Sequence, residues 1–268
     1  MIIKLNESHR ESILNYLYKD ASYNIFPIGD IETFGFNQDF QRVYAEISES
    51  GQYLSMFLRY RENAIYYADQ LRFNLDYLTI FEQDSFEFIS GKTELMALVQ
   101  PHLKDFEQKH MYFCEAHTLN ANHESSVEIQ KLKTKEEAER LYDLLCMIGE
   151  FGYHKRNRED FVNQKTSDQT MGMTWFIDVD GVMATTAATT AETTINAMVI
   201  AVATHPDYRH KGYASMILSE IMRTYVNEKK KHLCLFYNNP EAGKIYHRLG
   251  FKTIGSWDMF SRKIPEVL

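Results

Sequence analysis

AVATHPDYRHKGYAS, Ala201 to Ser215, divides into the end of a strand, a loop and the start of a helix. Upstream, Ile195 to Ala203 is an almost unbroken apolar run of Val, Ile, Ala and Met, the composition of a strand covered on both faces. Downstream, Met216, Ile217, Leu218, Ile221, Met222 and Tyr225 recur at three- and four-residue spacing, which predicts an amphipathic helix. The first turn of a helix presents unpaired backbone N–H groups and the positive end of the helix dipole, so an anion such as a diphosphate fits there. Gly212 admits close backbone approach, Ala214 keeps the next position small, and Arg209 with Lys211 adds positive charge.

A second pattern follows at a fixed distance. Leu233 to Tyr237 (LCLFY) reads as a short apolar strand, with Asn239 as the cap of a helix, Pro240 in its first turn and Gly250 as its stop. That helix carries Ala242 and Tyr246 on one face. Two rival phosphate loops fail on glycine count. The dinucleotide pattern needs two more glycines than Arg209–Ala214 supplies, and Gly91-Lys92-Thr93 has the tail of a P-loop but Phe86 where its first glycine is required.

Arg209-His210-Lys211-Gly212-Tyr213-Ala214 reads R-x-x-G-x-A and resembles the acetyl-CoA pyrophosphate loop of the GNAT superfamily of N-acetyltransferases, with His205 to Tyr208 similar to its lead-in. Asn239-x-x-Ala242-x-x-x-Tyr246-x-x-x-Gly250-Phe251 resembles the C-terminal motif of the same superfamily. The resemblance covers roughly Val127 to Arg262. It implies an acetyl-CoA-dependent N-acetyltransferase acting on a primary amine of a small molecule or peptide, with acetyl-CoA as cosubstrate and no metal. It implies that the diphosphate is held by Arg209, His210, Lys211, Gly212, Tyr213 and Ala214. The pantetheine and thioester fall to backbone at Ala203 and Thr204 and to the helix of Asn239 and Ala242, and Tyr246 is the general acid for the leaving thiolate. The general base is open. Ile195 to Thr204 holds no acidic residue, where many members of the superfamily carry a glutamate, so Glu192, Glu150, His154 and water all stand as candidates. The missing base leaves a second reading, a non-catalytic acyl-CoA-binding or regulatory module. An aminoacyl transferase using charged tRNA fits less well, because that class generally lacks the R-x-x-G-x-A loop.

Composition bounds these readings. With 268 residues and 44% hydrophobic content the chain supports a substantial core. A net charge of −8 argues against a nucleic-acid partner, since such binding draws on neutralised phosphates. Cys114, Cys146 and Cys234 are far apart and odd in number, which argues against a disulfide framework or a zinc site and reads as three buried thiols. No apolar run is long enough to cross a bilayer, and the polar helix expected after Met1 leaves the cytoplasm as the expected compartment, with no membrane partner.

The expected fold is α/β (α+β), a mixed, mostly antiparallel sheet flanked by helices, in two tandem GNAT-like domains. The first, residues 1–118, opens with a helix over Glu7–Lys19 and an aromatic, turn-forming Tyr23–Asp30 that is helical in part. Strands follow at Arg42–Ile47, Tyr53–Arg59, Ala64–Ala68 and Phe86–Ile89, then a helix over Glu94–Gln108 and a strand at Met111–Glu115. It lacks the phosphate loop, so the resemblance makes it a degenerate half without cofactor. Polar residues 119–126 form the linker. In 127–268, Val127–Leu132 is a strand, Thr134 with Glu137 is a capping box, and Asp180-Gly181 is a hairpin turn.

Overall fold

The computed structural model describes residues 1–120, 127–149, 157–167 and 172–263. It forms two compact units, one of Met1–Phe113 together with the chain from Thr253 on, the other of Cys114–Lys252. The units do not follow a single cut at 119–126. The last strand returns to the first unit, where it pairs antiparallel with Phe88–Lys92.

In the first unit the strands are β1 (Ile2–Lys4), β2 (Gln41–Ile47), β3 (Tyr53–Tyr60), β4 (Asn63–Ala68), β5 (Phe88–Lys92) and β6 (Phe106–Ala116), the last ending across the boundary. The helices are α1 (Arg10–Leu17), α2 (Ile25–Phe34), α3 (Tyr77–Gln83) and α4 (Thr93–Val99). β1 to β4 form an antiparallel meander and β5 joins β4 in parallel. Alternation along β3 builds two cores. Met56 and Leu58 join Ile13, Leu17, Ile28 and Ile31 from α1 and α2, while Phe57 between them joins Tyr77, Leu95, Met96 and Val99 from α3 and α4.

The second unit comprises β7 (Gln130–Lys131), α5 (Lys135–Cys146), α6 (Arg158–Ser167), β8 (Thr174–Val179), β9 (Val182–Thr190), β10 (Asn196–Thr204), α7 (Tyr213–Met222), β11 (His232–Tyr237) and α8 (Pro240–Leu249). β12 (Lys252–Arg262) begins here and passes to the first unit. The strand order β11-β10-β9-β8-β7 is antiparallel except for the β10–β11 pair. Thr134 caps α5 by accepting from the Glu137 N–H, and Glu137 accepts from the Thr134 N–H, the reciprocal capping box. Asp180 and Gly181 both take positive φ, 51° and 80°, as a type I′ hairpin turn demands.

Three expectations are corrected. The helix over Glu94–Gln108 ends at Val99, because Pro101 lacks an N–H and stands in a separate 3₁₀ turn, which frees β6 to start at Phe106. Tyr23–Asp30 agrees with its partly helical reading, a turn followed by helix from Ile25. Pro27 is tolerated because it lies in the first turn of α2, where an N–H has no intrahelical partner. The strand expected over Val127–Leu132 is only β7. Of the three thiols, Cys114 and Cys234 are buried but Cys146 is half-buried.

Asp30, on α2, titrates abnormally. Burial raises its carboxyl from 3.8 to about 7, and among the described residues no cation offsets that cost. Below the unfolded value both states hold the proton and nothing is lost. As pH rises from 3.8 towards 7 the unfolded chain ionises first, so stability falls and then levels off. Asp30→Asn should therefore match the wild type near pH 4 and exceed it at pH 8 by about 1–3 kcal/mol, the side chain's partial solvent contact trimming the full shift. Urea unfolding at the two pH values measures the difference.

Candidate functional site

The strand feeding the 201–215 loop is bent by one extra residue. From Ile200 to Ala203 β10 advances three positions while β9 advances two, Ala188 to Thr186, and Ala201 carries the surplus at φ 53°. This is a β-bulge held by a non-glycine residue in left-handed backbone, a conformation that costs about 1–2 kcal/mol. Its consequence lies on the other side of the strand. β10 pairs with β11 from Asn196–His232 to Val199–Leu235, and the register stops there. Beyond the bulge the sheet is open between β10 and β11.

The loop after β10 turns through Pro206–Tyr208, passes His210 at φ 63°, and enters α7 at Gly212 at φ 86°. Among the described residues no side chain caps α7, and although the Ser215 N–H turns back to the Gly212 carbonyl at 3.0 Å, those of Tyr213 and Ala214 remain for a ligand. A cleft of about 520 Å³ is lined here by Thr204, Tyr208, Arg209, His210, Gly212, Tyr213, Ala214 and Ser215. Its opposite wall is the face of α8 formed by Glu241, Ala242, Lys244, Ile245 and Arg248. A Cβ at Gly212 would meet nothing nearer than the Met216 methyl at 3.9 Å, so glycine is required there by backbone conformation rather than by space.

Seven of the residues singled out from sequence thus face one cleft: Thr204, Arg209, His210, Gly212, Tyr213, Ala214 and Ala242. The remaining four stand apart from its lining. Ala203 is buried, and its carbonyl accepts the Thr185 hydroxyl at 2.8 Å. Lys211 lays its ammonium 4.6 Å from the centre of the Tyr208 ring. Asn239 caps α8 by accepting from the Glu241 N–H at 3.0 Å. Tyr246 is 6% exposed, in the core beside Tyr237 and Phe251.

Two features escaped the sequence reading. The first is charge on α8. Arg248 reaches across to donate to the Ser215 hydroxyl at 3.0 Å, and Arg209, Lys244 and Arg248 outweigh Glu241, so an acidic chain presents a cationic cleft. The signal was the 241, 244, 245, 248 spacing, which places these residues on one helical stripe. The second is Tyr237, at the end of β11, whose hydroxyl lies 3.0 Å from His247 Nε2. His247 Nδ1 is 3.0 Å from the Phe251 carbonyl, an acceptor only, so Nδ1 carries a proton and in the neutral ring Nε2 accepts from Tyr237.

Among the candidate bases, Glu150 and His154 lie outside the described residues. Glu192 accepts from Lys229 at 2.9 Å, Lys231 at 2.7 Å and the Tyr225 hydroxyl at 3.1 Å. Burial pushes its carboxyl up, but the Lys231 and Lys229 contacts outweigh that and hold it below the usual range. A carboxylate so paired is a weak base.

The family model for "Acetyltransferase (GNAT) domain" matches residues 171–253. Among solved structures, a GNAT-family acetyltransferase from Colwellia psychrerythraea is 16% identical and superposes with a TM-score of 0.57 over 98% of this chain and 100% of its own. A GCN5-related N-acetyltransferase from Sphaerobacter thermophilus is 11% identical, with a TM-score of 0.62 over 98% and 96%. A tandem GNAT protein from the clavulanic acid biosynthesis pathway is 9% identical, with a TM-score of 0.56 over 97% of each chain. No curated protein matches the chain. At these identities the likeness is one of fold.

Gly243 supports the cleft wall from behind. A Cβ there would fall 2.5 Å from Tyr237 Cε2 and 2.8 Å from its Cζ, so the ring must move. Gly243→Ala should destabilise the second unit by about 1–3 kcal/mol and break the Tyr237–His247 hydrogen bond. Denaturant unfolding and the imidazole NMR signals of His247 report the two effects.

Proposed function

With residues 171–253 forming a GNAT acetyltransferase domain, we propose that the chain is an acetyl-CoA-dependent N-acetyltransferase that acetylates a primary amine of a small molecule or peptide. The observation that carries this reading is the uncapped start of α7, opened by left-handed Gly212 onto a cationic cleft. The diphosphate of the cosubstrate would lie on the first-turn N–H groups, with Arg209 and Arg248 neutralising its charge. The opening between β10 and β11 would take the pantetheine arm, with the acyl end directed towards the bulge.

The amine nitrogen attacks the thioester carbonyl, the C–N bond forms, and the C–S bond breaks as the tetrahedral oxyanion collapses. The departing thiolate takes a proton, for which Tyr246 is the assigned donor. The amine attacks in its neutral form, and the proton its nitrogen sheds once the C–N bond has formed passes to water, through which the Tyr246 phenolate regains one, since β10 carries no carboxylate and Glu192 is engaged by two lysines. The burial of Tyr246 and the engagement of Glu192 favour one second reading, an acyl-CoA-binding module without catalysis.

Two variants test these statements in turn. Gly212→Glu puts bulk and negative charge where the diphosphate would sit, and should abolish acetyl-CoA binding by calorimetry while leaving the melting temperature within a few degrees of the wild type. Unchanged affinity would remove the cofactor assignment. For catalysis, a thermal-shift screen of amines with acetyl-CoA first identifies an acceptor. Tyr246→Phe should then keep acetyl-CoA affinity while turnover falls by roughly ten- to a thousandfold. Wild-type turnover in that variant makes Tyr246 a packing residue, and no acceptor across the screen favours the binding module.

A further inference from the structure

Glu115, His117 and His232 lie together in the second unit, away from the cleft residues. Glu115 is near the end of β6, which stops at Ala116, and His117 follows directly after it. His232 opens the neighbouring strand β11. His117 Nε2 is 2.9 Å from one Glu115 oxygen and His232 Nδ1 is 3.5 Å from the other. The two imidazole rings have their centres 3.7 Å apart, and one ligand atom from each of the three residues falls within 4.8 Å of the others.

The geometry points to a site for a divalent transition cation, Zn²⁺ being the best match, held by His117, His232 and Glu115. A tetrahedral Zn²⁺ with ligands at about 2.0–2.1 Å sets those ligand atoms roughly 3.4 Å apart, a spacing within reach of atoms that already lie within 4.8 Å of one another. Two imidazoles and a carboxylate form a borderline donor set that suits Zn²⁺ rather than Ca²⁺ or Mg²⁺, with water completing the shell. Glu115 comes from the end of β6, His117 from just beyond it and His232 from the neighbouring strand, so the backbone gathers all three ligands, and the two rings would part from 3.7 Å to about 5 Å between centres to share one tetrahedral ion. His117 and His232 are both partly open to solvent, which leaves an entry path.

The site is structural rather than catalytic. β11 runs from His232 to Tyr237, about 17 Å at 3.3 Å per residue, and α8 starts only beyond that far end. A cation here would tie the end of β6 to the start of β11 without touching the cleft. The competing arrangement is a carboxylate that bridges two imidazoles by hydrogen bonds alone, which would not bind a metal stoichiometrically.

Calorimetric titration of chelator-treated full-length protein with Zn²⁺ distinguishes the two. The wild type should bind one Zn²⁺ per chain at this site and melt at a higher temperature with Zn²⁺ than in chelator. Loss of an outer-shell partner alone typically weakens a metal site about 10–100-fold, so His117→Gln and His232→Gln, each losing a direct ligand, should weaken binding by at least that much. His110→Gln, which removes an exposed histidine paired with Asp258, should leave it unchanged. His117 is exposed, and unfolding in chelator checks that its variant remains folded. Absence of stoichiometric binding in the wild type overturns the assignment, as does equal Zn²⁺ affinity in His117→Gln and His232→Gln. Acetyl-CoA affinity in these variants should equal that of the wild type, so failure here leaves the reading of the cleft untouched.

Discussion

The second unit depends on one backbone residue that is out of place. Ala201 takes a left-handed conformation in a largely apolar strand, and the extra position it inserts lies just beyond Val199, where the pairing of β10 with β11 ends. A strand that ran straight would keep its parallel register to its end, and β10 and β11 would close against each other. The strain of about 1–2 kcal/mol is offset by the packing on either side, where Ala197 and Val199 are buried with Ile217, Leu218 and Ile221 of α7. Thr185 secures the far side of the bulge by donating to the Ala203 carbonyl and meeting the Thr204 hydroxyl at 3.0 Å. A small residue at 201 keeps the cost of the left-handed turn low, whereas a β-branched one would raise it.

The parts of the fold that were legible in the sequence are those set by local chemistry. The capping box at Thr134 and Glu137, the Asp180-Gly181 turn and the Asn239-Pro240 start of α8 are each decided within a few residues, and each stands where its pattern put it. The Gly212 loop belongs with them, because a strand that stops and a helix that starts leave the intervening backbone few choices. Pattern reading was weaker where an element is short or is defined by its neighbours. α3 spans seven residues, and what makes it a helix is the burial of Tyr77 under Phe57 and Tyr66 from two strands distant in sequence. β6 extends further towards its N-terminus than its apolar pattern indicates, because Glu107, Gln108 and Lys109 are polar and exposed, and pairing with other strands overrides their propensity.

The site shows the same division. Arg209 to Ala214 could be read as one loop because six consecutive residues share one backbone conformation problem. The contribution of α8 could be read only as a motif, and the motif drew attention to Tyr246 while the cleft wall is the adjoining stripe of Glu241, Lys244, Ile245 and Arg248. A hundred degrees of helix rotation separates successive residues, so a face is assigned only when its partner is known. The bulge at Ala201 left no trace in composition, since alanine is unremarkable in a buried strand and a positive φ is a property of the pairing rather than of the residue.

β11 connects these observations, because its two ends do different work. Its middle, Leu233 to Leu235, is buried and paired with β10, which holds it firmly in the core of the second unit. Its C-terminal end emerges where β10 has turned away, and there Tyr237 packs over Gly243 and donates to His247, fixing α8 at one side of the cleft. The N-terminal end places His232 beside Glu115 and His117. A rigid strand transmits position rather than motion. Anything that orders the His232 end therefore limits fraying of β11 from that side, while the width of the opening at the other end remains set by the bulge and by Gly243. Stability and ligand access in this unit are consequently separable, and they separate along the length of a single six-residue strand.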